Sequence, residues 1–146
     1  MRELKVDAIK NGTVLDHIPA GKALKVLSIL NPNPKDVVTI GINFSGKSQK
    51  KDILKFENLE LKKEDVDKIA VLAPKATINI IHDYNVVKKY KVEVPDKLEN
   101  LWDCPNPNCI TRSENQKTKF VVENKEPIVL RCVYCERTFD VEEINL

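Results

Sequence analysis

Histidine is nearly missing from this chain: His17 and His82 are the only two among 146 residues. There is no G-x-S-x-G nucleophile turn and no Gly-rich phosphate loop ending in Lys-Ser or Lys-Thr, so the common hydrolase and nucleotidase sites have nothing to be built from. Asp16 and His17 adjoin, but neighbours on a strand point to opposite faces, which argues against an acid–base pair. No apolar run comes near the about 18 residues needed to cross a bilayer. The opening MRELKVDAIK lacks the apolar core of a secretory signal, so the chain is expected to work in the cytoplasm. Aromatic residues are scarce at 5%, and 24 Lys and Arg against 22 Asp and Glu leave a net charge of +2. The stacking surface and the basic field of a general nucleic-acid binder are both weak. No enzyme active site is expected.

What the chain does have is four cysteines in two tight pairs: Cys104 and Cys109 in CPNPNC, then Cys132 and Cys135 in CVYC after 22 residues. Two short loops at that spacing can present four thiolates to one ion. A tetrahedral zinc accepts them at about 2.3 Å, and a closed four-sulfur shell leaves no position for a substrate water, so the role is structural. Two disulfides would need an oxidising compartment. Iron in an S4 site shares the ligand softness and geometry, so the spacing alone leaves zinc and iron both open. A zinc ribbon that contacts nucleic acid through Lys117 and Lys119, or an iron-dependent redox protein, would use the same quartet.

Ahead of the cysteines, hydrophobic periodicity predicts strands over 3–9, 37–44, 50–57, 76–81 and 84–94, the last two joined through His82-Asp83. Asn11-Gly12 reads as a turn. Pro19 is expected to open a helix with Ala20, Ala23, Leu24, Leu27 and Leu30 on its apolar face, because proline is favoured in a first helical turn. A second helix is predicted over 61–72 through Val66, Ile69 and Ala70, stopped by Pro74. The order is β-α-β-β-α-β, that of a ferredoxin-like domain, whose sheet carries helices on one face only. The expected division is 1–96 for this domain and 97–146 for a small all-β metal domain, giving an α+β chain. The second part, with strands predicted over 120–123, 128–131 and 138–141, has about 45 residues to fold with, too few for a hydrophobic core alone, so the metal must supply stability.

On strand alternation Lys51 and Lys55 share a face, as do Asn79 and Ile81, and Tyr84 and Val86, with Lys88 and Lys89 further along. Lysines, amides and an aromatic ring on an open sheet face can hold a phosphorylated ligand bearing a base. The same lysines can equally solvate a strand edge and keep it from aggregating.

The stretches VDAIKNGTVLDHIPAGKALKVLSIL, TIGINF, KKDILKFEN, APKATINIIHDYNVVKK, CPNPNCI and RCVYCE resemble, in order and over essentially the whole chain, the regulatory chain of aspartate carbamoyltransferase. The resemblance implies a non-catalytic subunit with an N-terminal nucleotide-binding allosteric domain and a C-terminal zinc domain. It implies regulatory-chain dimers that bridge catalytic trimers, with CTP and ATP as effectors and UTP reinforcing CTP in some members. Carried over residue by residue, it places Ala8 and Ile9 against the base, with Ile81, Tyr84 and Val86 as pocket wall. Asp16 and Lys55 fall at ribose and base, and His17, Lys51 and Lys89 near the phosphates. Asn79 also matches a site position, and Asp7 stands where the family pattern has Glu. Asn106, Asn108 and Glu136 match contacts with the catalytic chain, and Pro107 between the asparagines is a departure that stiffens their loop.

Overall fold

Residues 13–18 belong to a strand. In the computed structural model, which describes residues 8–45 and 49–144, strand β1 spans Gly12–Pro19 and alternates so that Thr13 and Leu15 are buried while Val14 and Asp16 are only partly covered. Among the described residues this is the first strand of the β-α-β-β-α-β order; the strand expected over 3–9 lies mostly outside them. Ala8 and Ile9 are outside any strand, and residues 1–7 lie outside the described residues. Gly12 enters β1 with φ +151°, and a Cβ there would sit 2.0 Å from the Phe56 carbonyl oxygen, so only glycine lets the strands approach.

Pro19 ends β1 instead of opening a helix. Its carbonyl accepts the Lys22 amide at 3.0 Å in a turn, and helix α1 begins four residues later, at Ala23–Leu30. The start is set by a residue distant in sequence: the Asp52 carboxylate accepts the amides of Gly21 at 2.9 Å and Ala23 at 3.1 Å, capping the helix from a neighbouring strand. The buried side of α1 is Ala23, Val26 and Leu30, whereas Leu24, expected inside, is 61% exposed. Asn31 closes the helix in a left-handed conformation, φ 47°.

Strands β2 (Val38–Ser45) and β3 (Lys50–Glu57) pair antiparallel as the expected hairpin. Along β3, Asp52, Leu54 and Phe56 are buried while Lys51, Ile53 and Lys55 lie on the other face. Helix α2 (Lys63–Leu72) has Glu64 and Asp65 in its first turn, where acids suit the helix dipole. The Asp65 side chain accepts the Lys62 amide at 3.1 Å and so caps the start of the helix. Strands β4 (Thr77–His82) and β5 (Asn85–Lys91) complete a sheet of order β2-β3-β1-β4-β5. This is the ferredoxin-like arrangement with β5 added outside β4, so β5 forms the edge of the sheet. The core of this unit, Met1–Val92, includes Leu15, Ile18, Val26, Leu54, Phe56, Ile69 and Ile78.

The unit Glu93–Leu146 is a second antiparallel sheet, ordered β6 (Lys97–Glu99), β7 (Lys119–Lys125), β8 (Ile128–Cys132) and β9 (Thr138–Asp140). A one-turn helix α3 (Ile110–Ser113) follows the first cysteine pair. β7 continues beyond the expected 120–123 through Asn124 and Lys125 and reverses at Glu126-Pro127. Its core is Leu98, Trp102, Phe120, Leu130, Phe139 and Ile144, with the Trp102 and Phe120 rings 5.6 Å apart.

Candidate functional site

The two cysteine pairs leave the ends of short elements. Cys104 and Cys109 bracket the loop before α3, Cys132 ends β8, and Cys135 sits in the turn toward β9. All four Sγ atoms lie within 4.8 Å of one another. Two of the separations are 3.7 Å, for Cys104 to Cys135, and 3.8 Å, for Cys109 to Cys132. A tetrahedron with bonds of about 2.3 Å has edges of about 3.8 Å, so these two edges match and the four sulfurs are gathered closely enough to share one tetrahedral S4 metal. Backbone amides support the sulfurs: Asn106 at Cys104, Thr111 at Cys109, Tyr134 and Cys135 at Cys132. Burial pushes the Cys104 and Cys132 thiols up, and the neighbouring thiols add to this, since crowded sulfurs resist sharing negative charge. Burial raises the Cys109 thiol too, but the Thr111 hydroxyl and amide, with hydrogen bonds from Cys132 and Cys104, outweigh it and bring it down to about 7.

The loops around the cluster carry the residues expected at a partner interface. Asn106 is 7% exposed, and its Oδ1 accepts the Asn108 amide at 3.1 Å while its carbonyl accepts that of Cys109 at 3.1 Å. It therefore shapes the loop from inside. Asn108 and Glu136 stand at the surface, Glu136 in a left-handed conformation with φ 63°. Exposed Ile110, Val133 and Tyr134 extend the same rim.

In the first unit the registers align one residue from each of five strands: Thr39, Lys55, Val14, Asn79 and Lys89 sit side by side on the face away from the buried side chains. Lys55 and Asn79 are two strand spacings apart, roughly 9–10 Å, with half-buried Val14 as the floor between them. Toward one end of this row lie Gly12, Ile81 and Val86, which pair across their strands. There the Tyr84 amide binds the Lys10 carbonyl at 3.0 Å, which brings the chain after Ala8 and buried Ile9 to the turn between β4 and β5. Tyr84 itself is 62% exposed. Asp7 lies outside the described residues.

Toward the other end the strand alternation breaks, and this changes the reading of Asp16 and His17. Between Leu15 and Ile18, β1 gains one residue relative to β3, a β-bulge with His17 at φ 60°. The left-handed conformation costs about 1–2 kcal/mol outside glycine, and local bonds offset it. The His17 amide donates to Asp16 Oδ1 at 2.6 Å, and His17 Nδ1 lies 3.3 Å from Thr77 Oγ1. Thr77 is the cross-strand partner of Asp16, so the bulge puts Asp16 and His17 on one face, where regular alternation would have separated them. Lys51 Nζ joins them at 2.9 and 3.1 Å from the two Asp16 oxygens. Burial raises the Asp16 carboxyl, but the Lys51 hydrogen bond, the His17 amide and the Lys51 charge outweigh it and hold the carboxyl below its ordinary value.

The described residues thus bring together Asp16, His17, Lys51, Lys55, Asn79 and Lys89 on one open face, with Ile81, Tyr84 and Val86 at one end. Val14, Thr39 and Thr77 belong to this face and were not expected. Val14 was recoverable from its i, i+2 relation to Asp16, but only once residues 13–18 are taken as a strand. A cavity of about 570 Å³ opens on the opposite, helix-bearing side, lined by Thr13, Leu59, Ile78, Ile80 and Tyr90 among others. Of the expected site residues only Ile81 reaches it. No helix among the described residues is long and apolar enough to cross a membrane.

Comparison with known proteins fits this division. Residues 4–93 match the family "Aspartate carbamoyltransferase regulatory chain, allosteric domain", and residues 96–145 match its "metal binding domain". Aspartate carbamoyltransferase regulatory chains from Pyrococcus abyssi and Methanocaldococcus jannaschii are 55% and 54% identical to this chain, over 99% and 94% of its length and 97% and 93% of theirs. The regulatory chain from Thermococcus gammatolerans is 50% identical over 99% of this chain. With both domains matched in order and relatives this similar from end to end, the chain belongs to the aspartate carbamoyltransferase regulatory chains, non-catalytic subunits built of an allosteric and a metal-binding domain.

Proposed function

We propose that this chain receives a nucleotide signal on the open face of its first sheet and passes it to a catalytic chain of aspartate carbamoyltransferase held by its metal-binding unit. The observation that carries the reading is the row Thr39, Lys55, Val14, Asn79 and Lys89, continued by the Lys51–Asp16–His17 cluster. Lysine is a compact charge suited to phosphate. Lys51 and Lys89, with His17, serve the phosphates, while Asp16 and Lys55 hold the ribose and base, and Asn79 adds an amide. Ala8 and Ile9 offer backbone donors and acceptors that separate amino from keto base edges, beside the wall of Ile81, Tyr84 and Val86, with Asp7 preceding them. CTP and ATP compete for this one site, and UTP acts with CTP. Opposite effects on the enzyme then come from unequal affinities for two quaternary states, because a ligand that binds both equally shifts nothing.

One structural zinc bound by Cys104, Cys109, Cys132 and Cys135 fixes the loops that attach the catalytic chain. Asn108 and Glu136 make contact from the surface, and Asn106 holds the loop in shape. The second copy for a regulatory-chain homodimer meets strand β2, the sheet edge where Ile40, Ile42 and Phe44 are 39%, 46% and 46% exposed, a row of apolar groups that invites pairing. The cytoplasm is the setting for this assembly.

Calorimetry with the purified chain tests the nucleotide site. CTP and ATP should each give a saturable heat and displace one another, and Lys55→Ala should weaken both. No heat from either nucleotide would remove the site from the account. Metal analysis with a visible spectrum separates colourless zinc from iron.

A further inference from the structure

Helix α3 has no side-chain cap of its own, and two of its polar side chains, Thr111 and Arg112, turn back to the cysteine loop. Arg112 Nε donates to the Cys104 carbonyl at 2.6 Å. Thr111 is only 5% exposed, and its Oγ1 donates to Cys109 Sγ at 3.1 Å, while its amide faces the same sulfur. A buried hydroxyl needs a partner, and this one has a sulfur that would be a thiolate with metal bound. Such a bond is charge-assisted.

We propose that Thr111 is a positioning residue of the metal centre, whose hydroxyl fixes the orientation of the Cys109 thiolate and draws electron density from it. The proposal rests on the reading of the four cysteines as ligands of one metal. A thiolate that donates part of its density to a hydrogen bond is a weaker nucleophile and is harder to oxidise. Cys109 is 1% exposed, so water cannot supply the missing bond if the hydroxyl is removed. Outer-shell partners of metal ligands typically account for 10–100-fold in metal affinity, and Thr111 fills that place at this corner of the cluster.

The test uses the full chain loaded with cobalt(II) or zinc, comparing Thr111→Val and Thr111→Ala, which lack the hydroxyl, with Thr111→Ser, which keeps it and loses only the methyl group. Removing the hydroxyl should move the thiolate-to-cobalt charge-transfer band to longer wavelength and speed zinc transfer to a chromogenic chelator by roughly 10-fold or more. Thr111→Ser should behave as the unmodified chain, even if Thr111→Val proves too crowded to fold. A charge-transfer band and a release rate unchanged in Thr111→Ala would overturn the proposal. So would Thr111→Ser behaving as Thr111→Ala, because the methyl group would then be the part that matters. If the unmodified chain gives no tetrahedral thiolate–cobalt spectrum at all, the metal reading itself fails, and that outcome is distinct from the other two.

Discussion

Replacing Asp52 by alanine should destabilise the first unit severely while leaving the second in place. Asp52 is 0% exposed and accepts three backbone amides: Gly21 at 2.9 Å and Ala23 at 3.1 Å at the start of α1, and Asn43 at 3.0 Å in β2. Asn43 is itself left-handed, φ 62°, where β2 gains a residue relative to β3. One carboxylate thus holds a helix start and a strand bulge together. Hydrogen bonds to charged groups contribute about 1.5–3 kcal/mol each. The amides of Gly21 and Asn43, on exposed residues, can rehydrate after the change, whereas that of Ala23, on a residue 0% exposed, is left without an acceptor at a cost of about 1–3 kcal/mol. The lost Ala23 bond and its stranded amide together give about 2.5–6 kcal/mol, which for a domain of this size lowers the midpoint by roughly 10–45 °C. Thermal unfolding of the full chain can read the two units separately. Trp102 is the only tryptophan and lies in the second unit, so its fluorescence follows that unit while far-ultraviolet circular dichroism follows both. The dichroism transition should drop and the fluorescence transition stay. A loss under about 1 kcal/mol, or a fluorescence transition that moves equally, would refute the reasoning.

Acid should loosen the Asp16 cluster. Because the folded Asp16 carboxyl lies below its ordinary value, its stabilisation is complete above the unfolded value of about 3.9 and fades as pH falls through the lower folded value. Lys51→Met should flatten that acid limb of a stability–pH curve measured by denaturant unfolding, and an unchanged limb would show that the Lys51 contact carries no weight. Stripping the metal with a strong chelator should abolish the Trp102 transition and association with the catalytic chain, while most of the first-unit dichroism remains. An apo chain that still assembles would contradict the scaffold role of the cysteines. Ile42→Lys, on the exposed β2 edge, should raise the homodimer dissociation constant in sedimentation, and an unaltered constant would move the dimer contact elsewhere.

The parts of this molecule legible from sequence are those whose geometry is local. β3 reads correctly because Lys51, Ile53 and Lys55 alternate without interruption against Asp52, Leu54 and Phe56. The cysteine quartet reads correctly because its spacing is the geometry. β1 did not, for a physical reason: the bulge at Asp16 and His17 breaks the period of two, and Pro19 after it imitates a helix start. The phase of α1 was misjudged because its cap, Asp52, lies 29 residues from Ala23, and no local pattern announces a cap lent by another element. The short strand β6 hid in a polar stretch that reads as a boundary, since Leu98 is its one buried residue. The open-face residues were gathered by resemblance more than by periodicity. The registers add why they meet: each of five strands contributes one residue to the same row, and a bulge turns His17 onto the face that alternation would have denied it.

A nucleotide bound beside Lys55 should control an enzyme whose chemistry lies in another chain. The measurement that tests it most directly is aspartate saturation of the holoenzyme, assembled from the catalytic chain and either the unmodified chain or Lys55→Ala, with and without CTP. Loss of a charged hydrogen bond of about 1.5–3 kcal/mol corresponds to a roughly 10–100-fold weaker effector. The account predicts that CTP shifts the saturation curve of the unmodified holoenzyme at concentrations that leave the Lys55→Ala holoenzyme unmoved. The same shift at the same CTP concentration in both would contradict it.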